Sequence, residues 1–417
     1  MQICNVHLFD GEQRHSGLFD IHIEGDRIKS VIPHASVGTT DAPDVIDGAG
    51  GWLLPGLIDL HVHLSWNGGA DPATDISNAS EEENLLETVS NALNYLPHGI
   101  TSVRDLGTPH DAALHVGKAI ARGKLPGPRI LSSGMSLIMT GGHDPFHGLP
   151  VDGPWEALKG VRRQVAQGAQ VIKISATGGV YGRTEGEGVD DTELRKEELE
   201  IIMDEAHRRH VPVTAHAIGE MGIRACLAAG IDCIEHGHFI QPDMAQQMAT
   251  QGIALVPTFY IYQHLAASPT IPAYARQKAV AVTEQHRRAL GYARQAGVLI
   301  GAGSDAGSPD TPHPALLEEI LALEDGGLSR IEALCAATGN AGRILGCGGR
   351  LGTVRPGAFA DLILLNADPC QNLHALRDIR LVIAAGRPHQ SIAIFLGRRG
   401  QILAPFFLPH GKHHNCR

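Results

Sequence analysis

From Gly56 to Gly346 the chain repeats one pattern, in which short, nearly continuous apolar runs alternate with longer segments of helical spacing. Continuous apolar runs of this length are typical of parallel strands that are buried on both faces. The runs are 57–64, 100–106, 129–135, 171–176, 211–217, 233–236, 253–259 and 298–304. Helices are predicted over 81–96, 193–210, 221–229 and 274–296. Because eight strands that alternate with helices favour parallel pairing, the pattern predicts an α/β fold with a (β/α)8 TIM barrel.

The segments on either side of this repeat are predicted to be β structure. Residues 21–23 and 28–32 alternate apolar and polar side chains around Glu24-Gly25-Asp26-Arg27, which is typical of a hairpin. Apolar runs of strand length return near the other end of the chain, at 360–365 and 379–383. We therefore predict that both chain ends form one small β-sandwich domain. The predicted ranges are 1–55 with 347–388 for the composite sandwich, 56–346 for the barrel, and 389–417 for a peripheral tail.

The composition restricts the partners and the compartment. With 34 Lys and Arg against 45 Asp and Glu, the net charge of −11 disfavours nucleic acid as a partner. We find no apolar run long enough to span a membrane, and the N-terminal residues lack the pattern of a secretory signal. The seven cysteines are scattered without a C-x-x-C spacing, which favours a reducing compartment. These features predict a cytoplasmic protein that binds neither nucleic acid nor membranes.

Side chains that can bind metal ions stand at the ends of several predicted strands. His61 and His63 are two residues apart in the first strand, so their imidazoles lie on the same side. The carboxyl ends of barrel strands converge on one face, where the active sites of such barrels lie. The other candidates end the fourth, fifth, sixth and eighth strands: Lys173, His216, His236 and Asp305. A chain with 24 His and only 4% aromatic residues also favours a metal site at this face.

Lys173 is the most unusual of these candidates, because it lies between Ile172 and Ile174 in a predicted central strand. Burial disfavours its ammonium form, and a neutral amine can take up carbon dioxide to form a carbamate that bridges two cations. Taken singly, each candidate has a simpler interpretation, such as a paired core lysine, a hydrogen-bonded core histidine, or a helix cap at Asp305. Together these interpretations require several independent coincidences. We therefore predict one metal centre.

The motifs around these residues resemble those of the amidohydrolase superfamily. Within it, the chain is most similar to the binuclear-metal branch of imidazolonepropionase-related hydrolases, Xaa-Pro dipeptidases (prolidase-like) and ochratoxinase-like enzymes. The resemblance extends over roughly residues 3 to 388. It rests on Pro55-Gly56-Leu57-Ile58-Asp59-Leu60-His61-Val62-His63, Thr101-Ser102-Val103-Arg104-Asp105, Thr140-Gly141-Gly142-His143, Ile172-Lys173-Ile174, Ala215-His216-Ala217, Ile234-Glu235-His236-Gly237-His238 and Gly303-Ser304-Asp305-Ala306-Gly307.

The resemblance implies a site for two divalent metal ions. It assigns the more buried metal to His61, His63 and Asp305, and the second metal to His216 and His236. Lys173, as N6-carboxylysine, would bridge the pair. Imidazole and carboxylate ligands favour zinc, and Mn, Co or Fe also fit this type of ligand.

The same resemblance implies hydrolysis of a small-molecule amide by a metal-bridging hydroxide. The expected substrate is a dipeptide, an Xaa-Pro dipeptide, or an N-acyl or aryl amino acid. Asp305 would carry a proton from the hydroxide to the leaving nitrogen, and His143 would contact the substrate. The remaining candidate substrate contacts are Tyr181, Arg183 and Tyr260, although a solvated loop arginine is an equally good interpretation of Arg183.

Two other functions are weighed against this one. A cyclic-amide hydrolase or deaminase of the imidazolonepropionase type would use a glutamate near the fifth strand, where Glu220 stands, but such sites generally lack the lysine. A scaffold that has lost its metals would have eroded ligand positions, whereas all six are filled here. Ile218 stands where relatives often carry Tyr or His, so aryl, N-acyl and cyclic amides stay open as substrates. The resemblance also allows a homo-oligomer, because related barrels often dimerise.

Overall fold

The computed structural model describes residues 1–35, 44–181 and 187–389. It is a mixed α/β fold. The strands are β1 Gln2–Leu8, β2 Phe19–Glu24, β3 Arg27–Pro33, β4 Val45–Asp47, β5 Trp52–Pro55, β6 Leu57–Val62, β7 Ile100–Asp105, β8 Arg129–Ser132, β9 Ser136–Ile138, β10 Gly148–Pro150, β11 Ile172–Ser175, β12 Val213–Ala217, β13 Cys233–His236, β14 Ala254–Val256, β15 Leu362–Leu365, β16 Ile379–Ala384 and β17 Arg387–His389. The helices are α1 Pro72–Asn78, α2 Glu81–Leu93, α3 Ala112–Ala121, α4 Pro154–Gln167, α5 Lys196–Arg208, α6 Glu220–Ala229, α7 Pro242–Gln251, α8 Phe259–Ala267, α9 Ala273–Ala296, α10 Leu316–Asp325, α11 Arg330–Ala336 and α12 Gly339–Ile344.

The strands of the central repeat are parallel and form two sheets. One has the order β6-β7-β8, and the other has the order β10-β9-β11-β12-β13-β14. Most of these strands are buried along their whole length, among them β6, β7, β11, β12, β13 and β14. This burial on both faces explains why these segments are continuously apolar in sequence.

The predicted eighth strand, 298–304, differs from the expectation. Within this segment, Ile300 forms an isolated parallel bridge with Leu255. Just beyond it, Ala306 forms a second isolated parallel bridge with Val62. A side chain at Gly301 would meet Leu60 at 2.3 Å, so the backbone here packs directly against neighbouring side chains. Glycines weaken a regular strand where another group approaches closely. The segment therefore connects the two parallel sheets without itself being a regular strand.

A third sheet contains strands from both ends of the chain, in the order β17-β16-β15-β5-β1-β2-β3, with β4 paired to β1. Within it, β15 runs antiparallel to β5, with Ile363 opposite Leu54. Side chains from both ends, among them Ile3, Leu53 and Leu364, share one hydrophobic cluster. The sheet thus joins the two terminal segments, while the domain ranges given above stay a prediction.

Three of the four predicted helices begin and end near the predicted positions. The helix that begins at Glu81 ends at Leu93, earlier than predicted, because Leu96–His98 forms a separate 3-10 turn around Pro97. The apolar segment 259–267 is helix α8, whose first residue the sequence analysis placed in a strand. Short apolar runs do not distinguish a strand from a buried helix. In the three ranges that the structure covers, no helix is long and apolar enough to cross a membrane.

Glu319 on α10 is a buried carboxyl beneath the start of α8. It is fully buried, and its Oε2 accepts the backbone N–H of Tyr260 at 2.7 Å. Burial raises the pKa of this carboxyl to about 8, and the nearby Asp59 and Asp305 act in the same direction. The folded protein therefore keeps a proton that the unfolded chain releases at an ordinary glutamate pKa.

The resulting expectation is that the free energy of unfolding falls as pH rises from about 4.5 to about 8, by about 1 kcal/mol per pH unit. The amide of Glu319→Gln does not ionise, so this variant should lack the pH-dependent fall in the free energy of unfolding. It should therefore be more stable than the parent at the upper end of that window. Urea unfolding across the window measures it. Glu318→Gln is the matched control, since Glu318 is partly exposed and pairs with Arg377 at 3.5 Å. A decline of equal slope in the parent and in Glu319→Gln would contradict the assignment.

Candidate metal centre

One cavity at the carboxyl ends of the parallel strands contains all six predicted metal ligands. Its described lining residues are His61, His63, Trp66, His143, Asp144, His147, Lys173, Ser175, Val180, Tyr181, His216, His236, Ile261, Tyr262, Leu265, Asp305, Ser308 and Pro309. The predicted ligands come from β6, β11, β12, β13 and the segment after 304, which are far apart in sequence. Parallel pairing brings them together because it aligns the carboxyl ends of the strands.

The side chains of the predicted first metal site are close together. His61 Nε2 and His63 Nε2 lie 3.6 Å and 3.3 Å from Asp305 Oδ1. His61, His236 and Asp305 each offer a ligand atom, and these atoms lie within 4.8 Å of one another. The ring of His216 lies 4.5 Å from that of His236. Lys173, opposite Thr214 in the register of β11 with β12, is 4% exposed and lines the same cavity.

Each of the four candidate histidines uses one ring nitrogen for a protein contact. The Nδ1 atom of His61 contacts Glu235, that of His63 contacts the Gly107 carbonyl, and that of His236 contacts Thr258 Oγ1. His216 instead uses Nε2, which lies 3.3 Å from the Gly178 carbonyl. Metal-binding histidines characteristically hold one nitrogen in this way, which sets the tautomer and leaves the other for the metal. The donor set therefore fits divalent cations.

The charge states of these groups also fit cation binding. Burial lowers the pKa of His61 to about 4, and it lowers the pKa of His216 and His236 well below the usual value. Neutral imidazole is the form that binds metals. Burial likewise lowers the pKa of Lys173. Burial alone would raise the pKa of Asp305, but His61 and His63 bring it well below its usual value.

The backbone is held in an unusual conformation at several of these positions. His236, Asp305 and Thr258 have φ angles of 69°, 57° and 47°, in the left-handed region that residues other than glycine seldom adopt. Such conformations persist where the surrounding structure imposes them, and they cluster at active sites. These conformations occur at two predicted ligands, His236 and Asp305, and at Thr258, the hydrogen-bond partner of His236. Their presence supports a functional role for this cavity.

The carboxylate of Glu235, which the sequence analysis did not single out, contacts the imidazole of His61. Glu235 is fully buried, and its Oε2 lies 2.9 Å from His61 Nδ1. Its other oxygen accepts hydrogen bonds from Arg104 Nη2 at 2.6 Å and from Thr214 Oγ1. Both Glu235 and Arg104 lie inside motifs quoted above, but nothing in the sequence alone paired them. Arg104 thus holds the carboxylate that fixes the orientation of His61.

We expect Glu235→Gln to weaken metal binding by roughly 10- to 100-fold, the usual cost of losing the partner of a metal-binding histidine. The amide keeps the size of the carboxylate and loses its charge, so His61 is held less firmly. Competition with a chromogenic chelator measures the affinity, at a temperature where circular dichroism shows the variant folded. Glu332→Gln, which removes an exposed pair with Arg294, is the control. Equal affinities for the parent and Glu235→Gln would show that Glu235 does not orient the ligand.

The predicted substrate contacts have different positions. His143 lines the cavity, with its ring 4.1 Å from that of His216. Although burial acts in the opposite direction, Asp144 and Glu187 raise the pKa of His143 to about 10. Its Nδ1 donates to Glu187 at 2.7 Å, and its Nε2 lies 3.0 Å from Asp144. As a cation, His143 thus has both ring N–H groups directed at carboxylates of the protein.

The other three predicted substrate contacts differ in their positions relative to the cavity. Tyr181 lines the cavity, and its hydroxyl donates to Asp71 at 2.6 Å. Tyr260 is not among the lining residues, whereas Tyr262, two residues further along α8, is. Arg183 lies outside the described residues. The substrate roles of these residues stay predictions.

Several lining residues were missed by the sequence analysis. Asp144 and His147 follow His143 in the same loop, and Trp66 follows the first strand. His147 is 2% exposed, its ring lies 5.1 Å from that of His63, and its Nδ1 has no hydrogen-bond partner among the described residues. The only available signal was their closeness in sequence to His143 and His63, since loop residues carry no periodicity that shows their direction.

Comparison with known proteins identifies the family of this chain. The model of the amidohydrolase family matches residues 52–404, so the chain belongs to the amidohydrolase family. It is a hydrolase that acts on carbon–nitrogen bonds. The chain is 31% identical to ochratoxinase of Aspergillus niger over 364 residues, which cover 79% of this chain and 73% of that protein.

Two solved structures are similar over nearly the whole chain. One is a Xaa-Pro dipeptidase with bound methionine in the active site, with a TM-score of 0.85, 29% identity, and coverage of 93% of this chain and 99% of that one. The other is a prolidase complexed with N-methylphosphonate-L-proline, with a TM-score of 0.85, 28% identity, and coverage of 93% and 98%. These findings confirm the predicted superfamily and the branch that holds ochratoxinase and the prolidase-like hydrolases.

Proposed function

We propose that this protein hydrolyses the amide bond of a dipeptide, an Xaa-Pro dipeptide, or an N-acyl or aryl amino acid. The observation that carries the proposal is the convergence of six candidate ligands on one cavity, three of them with ligand atoms within 4.8 Å of one another. When bound, two divalent cations would supply hydroxide at neutral pH and polarise the scissile carbonyl. The similarity to ochratoxinase and to Xaa-Pro dipeptidase supports the same class of substrate.

The proposed ligands are the six residues predicted from sequence. His61, His63 and Asp305 would hold one cation, and His216 with His236 would hold the other. Lys173, as N6-carboxylysine, would bridge the two. Burial lowers the pKa of Lys173 and so acts in favour of the neutral amine, the form that reacts with carbon dioxide. Zinc suits a site of imidazole and carboxylate donors.

Asp305 is the proposed proton carrier. Its histidine neighbours keep its pKa low, so it is ionised at neutral pH, which is the form that can act both as a ligand and as the acceptor of a proton. From its place among the proposed ligands, the carboxylate can then pass that proton to the nitrogen that leaves. His143 is proposed to border the bound substrate beside His216.

We further propose that the two parallel sheets belong to one closed (β/α)8 barrel. On one side, Leu60 N–H donates to the Ala302 carbonyl at 3.0 Å, and Gly301 N–H donates to the Leu255 carbonyl at 2.9 Å. On the other side, Gln170 N–H donates to the Ser132 carbonyl at 3.1 Å. These bonds support closure at both junctions between the sheets. Closure would align all the proposed ligands at one rim.

The cyclic-amide hydrolase or deaminase has less support. Its expected glutamate, Glu220, is 41% exposed at the start of α6, where it pairs with Arg224 at 2.8 Å. It is not among the described residues that line the cavity.

The test is a library of dipeptides, N-acyl amino acids and cyclic amides, assayed with protein that has been stripped by chelator and reloaded with zinc. We expect hydrolysis of linear amides only in the reloaded sample. Deamination or ring opening without hydrolysis of any linear amide would contradict the proposal. So would full activity in the stripped protein, verified as metal-free by emission spectroscopy.

A further inference from the structure

One carboxylate oxygen in the cavity has no hydrogen-bond donor among the described residues. Asp144 lines the cavity and is 9% exposed. Its Oδ2 lies 3.0 Å from His143 Nε2, whereas its Oδ1 is buried and accepts no hydrogen bond from the residues that the structure describes. A buried charged acceptor without a donor is costly, so nearly all such atoms in folded proteins have a partner. This oxygen is therefore placed to accept a hydrogen bond from a ligand.

The position of Asp144 is fixed by its neighbours. His143 is itself held by Glu187 at Nδ1 and by Glu193, which accepts the His143 backbone N–H at 2.6 Å. Asp144 has a φ of 53°, a left-handed conformation that Asp tolerates better than most residues. His143 is therefore held at its ring and at its backbone, and its Nε2 in turn contacts Oδ2 of Asp144.

The surroundings of Asp144 favour a positively charged donor. Asp144 lines the same cavity as Lys173 of the proposed metal centre and Tyr262 of α8. Much of the remaining wall is apolar, including Trp66, Ile261 and Leu265. Among the described lining residues, Lys173 is the only lysine or arginine, and the His143 cation pairs with the other oxygen of Asp144, Oδ2. A protonated amine on the substrate would pair with Asp144 in a charge-assisted hydrogen bond.

We infer that Asp144 binds the protonated α-amino group of the substrate, so the substrate class is unblocked dipeptides and other aminoacyl amides. This inference rests on the proposed amide hydrolysis and makes its substrate more specific. In an aminoacyl amide, the α-amino group is attached to the carbon next to the scissile carbonyl. A carbonyl at the metal centre would therefore bring the amine within the same cavity. An N-acyl amino acid has no cation at that position.

The experiment compares two substrates that differ only in the amine. Alanyl and propionyl derivatives are made of the amino acid that the zinc-loaded protein releases fastest in the library. The parent should favour the alanyl compound in kcat/KM by roughly 10- to 100-fold, as expected for a hydrogen bond between charged groups. Asp144→Asn should reduce that ratio by at least tenfold, mainly through KM. Asp204→Asn, which removes an exposed carboxylate on α5, should keep the parent ratio.

Each other outcome has a distinct meaning. If the zinc-loaded parent hydrolyses no linear amide of the library, the proposed function fails. If both are hydrolysed with equal kcat/KM, the function stands and the inference is wrong. A preference for the alanyl compound that Asp144→Asn leaves intact would also overturn the inference, because another group would then bind the amine. Loss of bound metal in Asp144→Asn would overturn it as well, by assigning Asp144 to the metals.

Discussion

Replacing Asp305 with asparagine should lower kcat by on the order of 10²- to 10⁴-fold, the usual contribution of a positioned acid or base. Asp305 lies 3.3 Å from His63 and 3.6 Å from His61, so its carboxylate is at the centre of the proposed ligand set. Asparagine keeps one oxygen that can still face a cation, but it cannot accept the proton. The variant should therefore keep at least one metal ion per chain while turnover is lost.

Emission spectroscopy on the purified variant, together with a rate assay on the best substrate, measures both effects. A variant with full metal content and parental kcat would show that Asp305 does not carry the proton. Asp310→Asn is a suitable control, because Asp310 follows in the same loop, is hydrogen-bonded to Ser268 Oγ at 2.7 Å, and does not line the cavity.

Lys173→Ala should cause the second large loss. The variant should bind at most one metal ion per chain, and its kcat/KM should fall by more than the roughly 10- to 100-fold typical of losing the partner of a ligand. The reason is that the proposed carbamate contributes to both cations at once. Lys173 is buried and lines the cavity from β11, so alanine would leave space next to the proposed cations rather than a new contact.

This space supplies a control that is specific to the carbamate. Acetate or propionate added to Lys173→Ala should restore part of the metal binding and part of the activity, because a small carboxylate can replace the bridging oxygens. The same acids should have no effect on Asp305→Asn. Parental activity in Lys173→Ala, or no rescue together with parental metal content, would rule out a bridging role for Lys173.

The convergence of the proposed ligands on one cavity could be predicted from sequence because each candidate lies in or directly after a parallel segment of the repeat, and such segments end at a common rim. His61, Lys173 and His236 needed only the strand assignment to be placed there. They could be recognised in the sequence because they are polar residues within apolar runs. The family resemblance then separated them into two metal sites.

The partners of these ligands could not be predicted in the same way. Glu235 contacts His61 across 174 residues of sequence, and His143 contacts Glu187 through two loops without periodicity. Nothing in the local sequence shows which carboxylate meets which imidazole, because that depends on loop paths and side-chain packing. The segment 298–304 was wrongly predicted to be a regular strand for a related reason. Gly301 packs closely against Leu60, and Gly303 packs closely against Val256 and His61, contacts that the local sequence does not show.

The central claim is that these side chains hold two cations bridged by a modified lysine, and anomalous diffraction from a crystal of the metal-loaded protein tests it most directly. We predict two anomalous peaks separated by roughly 3.5–4 Å, as in other two-metal sites, with density for a carboxylated Lys173 between them. His61 and His63 should border one peak, and His216 and His236 the other. A single peak, or an unmodified Lys173 that contacts neither metal, would contradict the account.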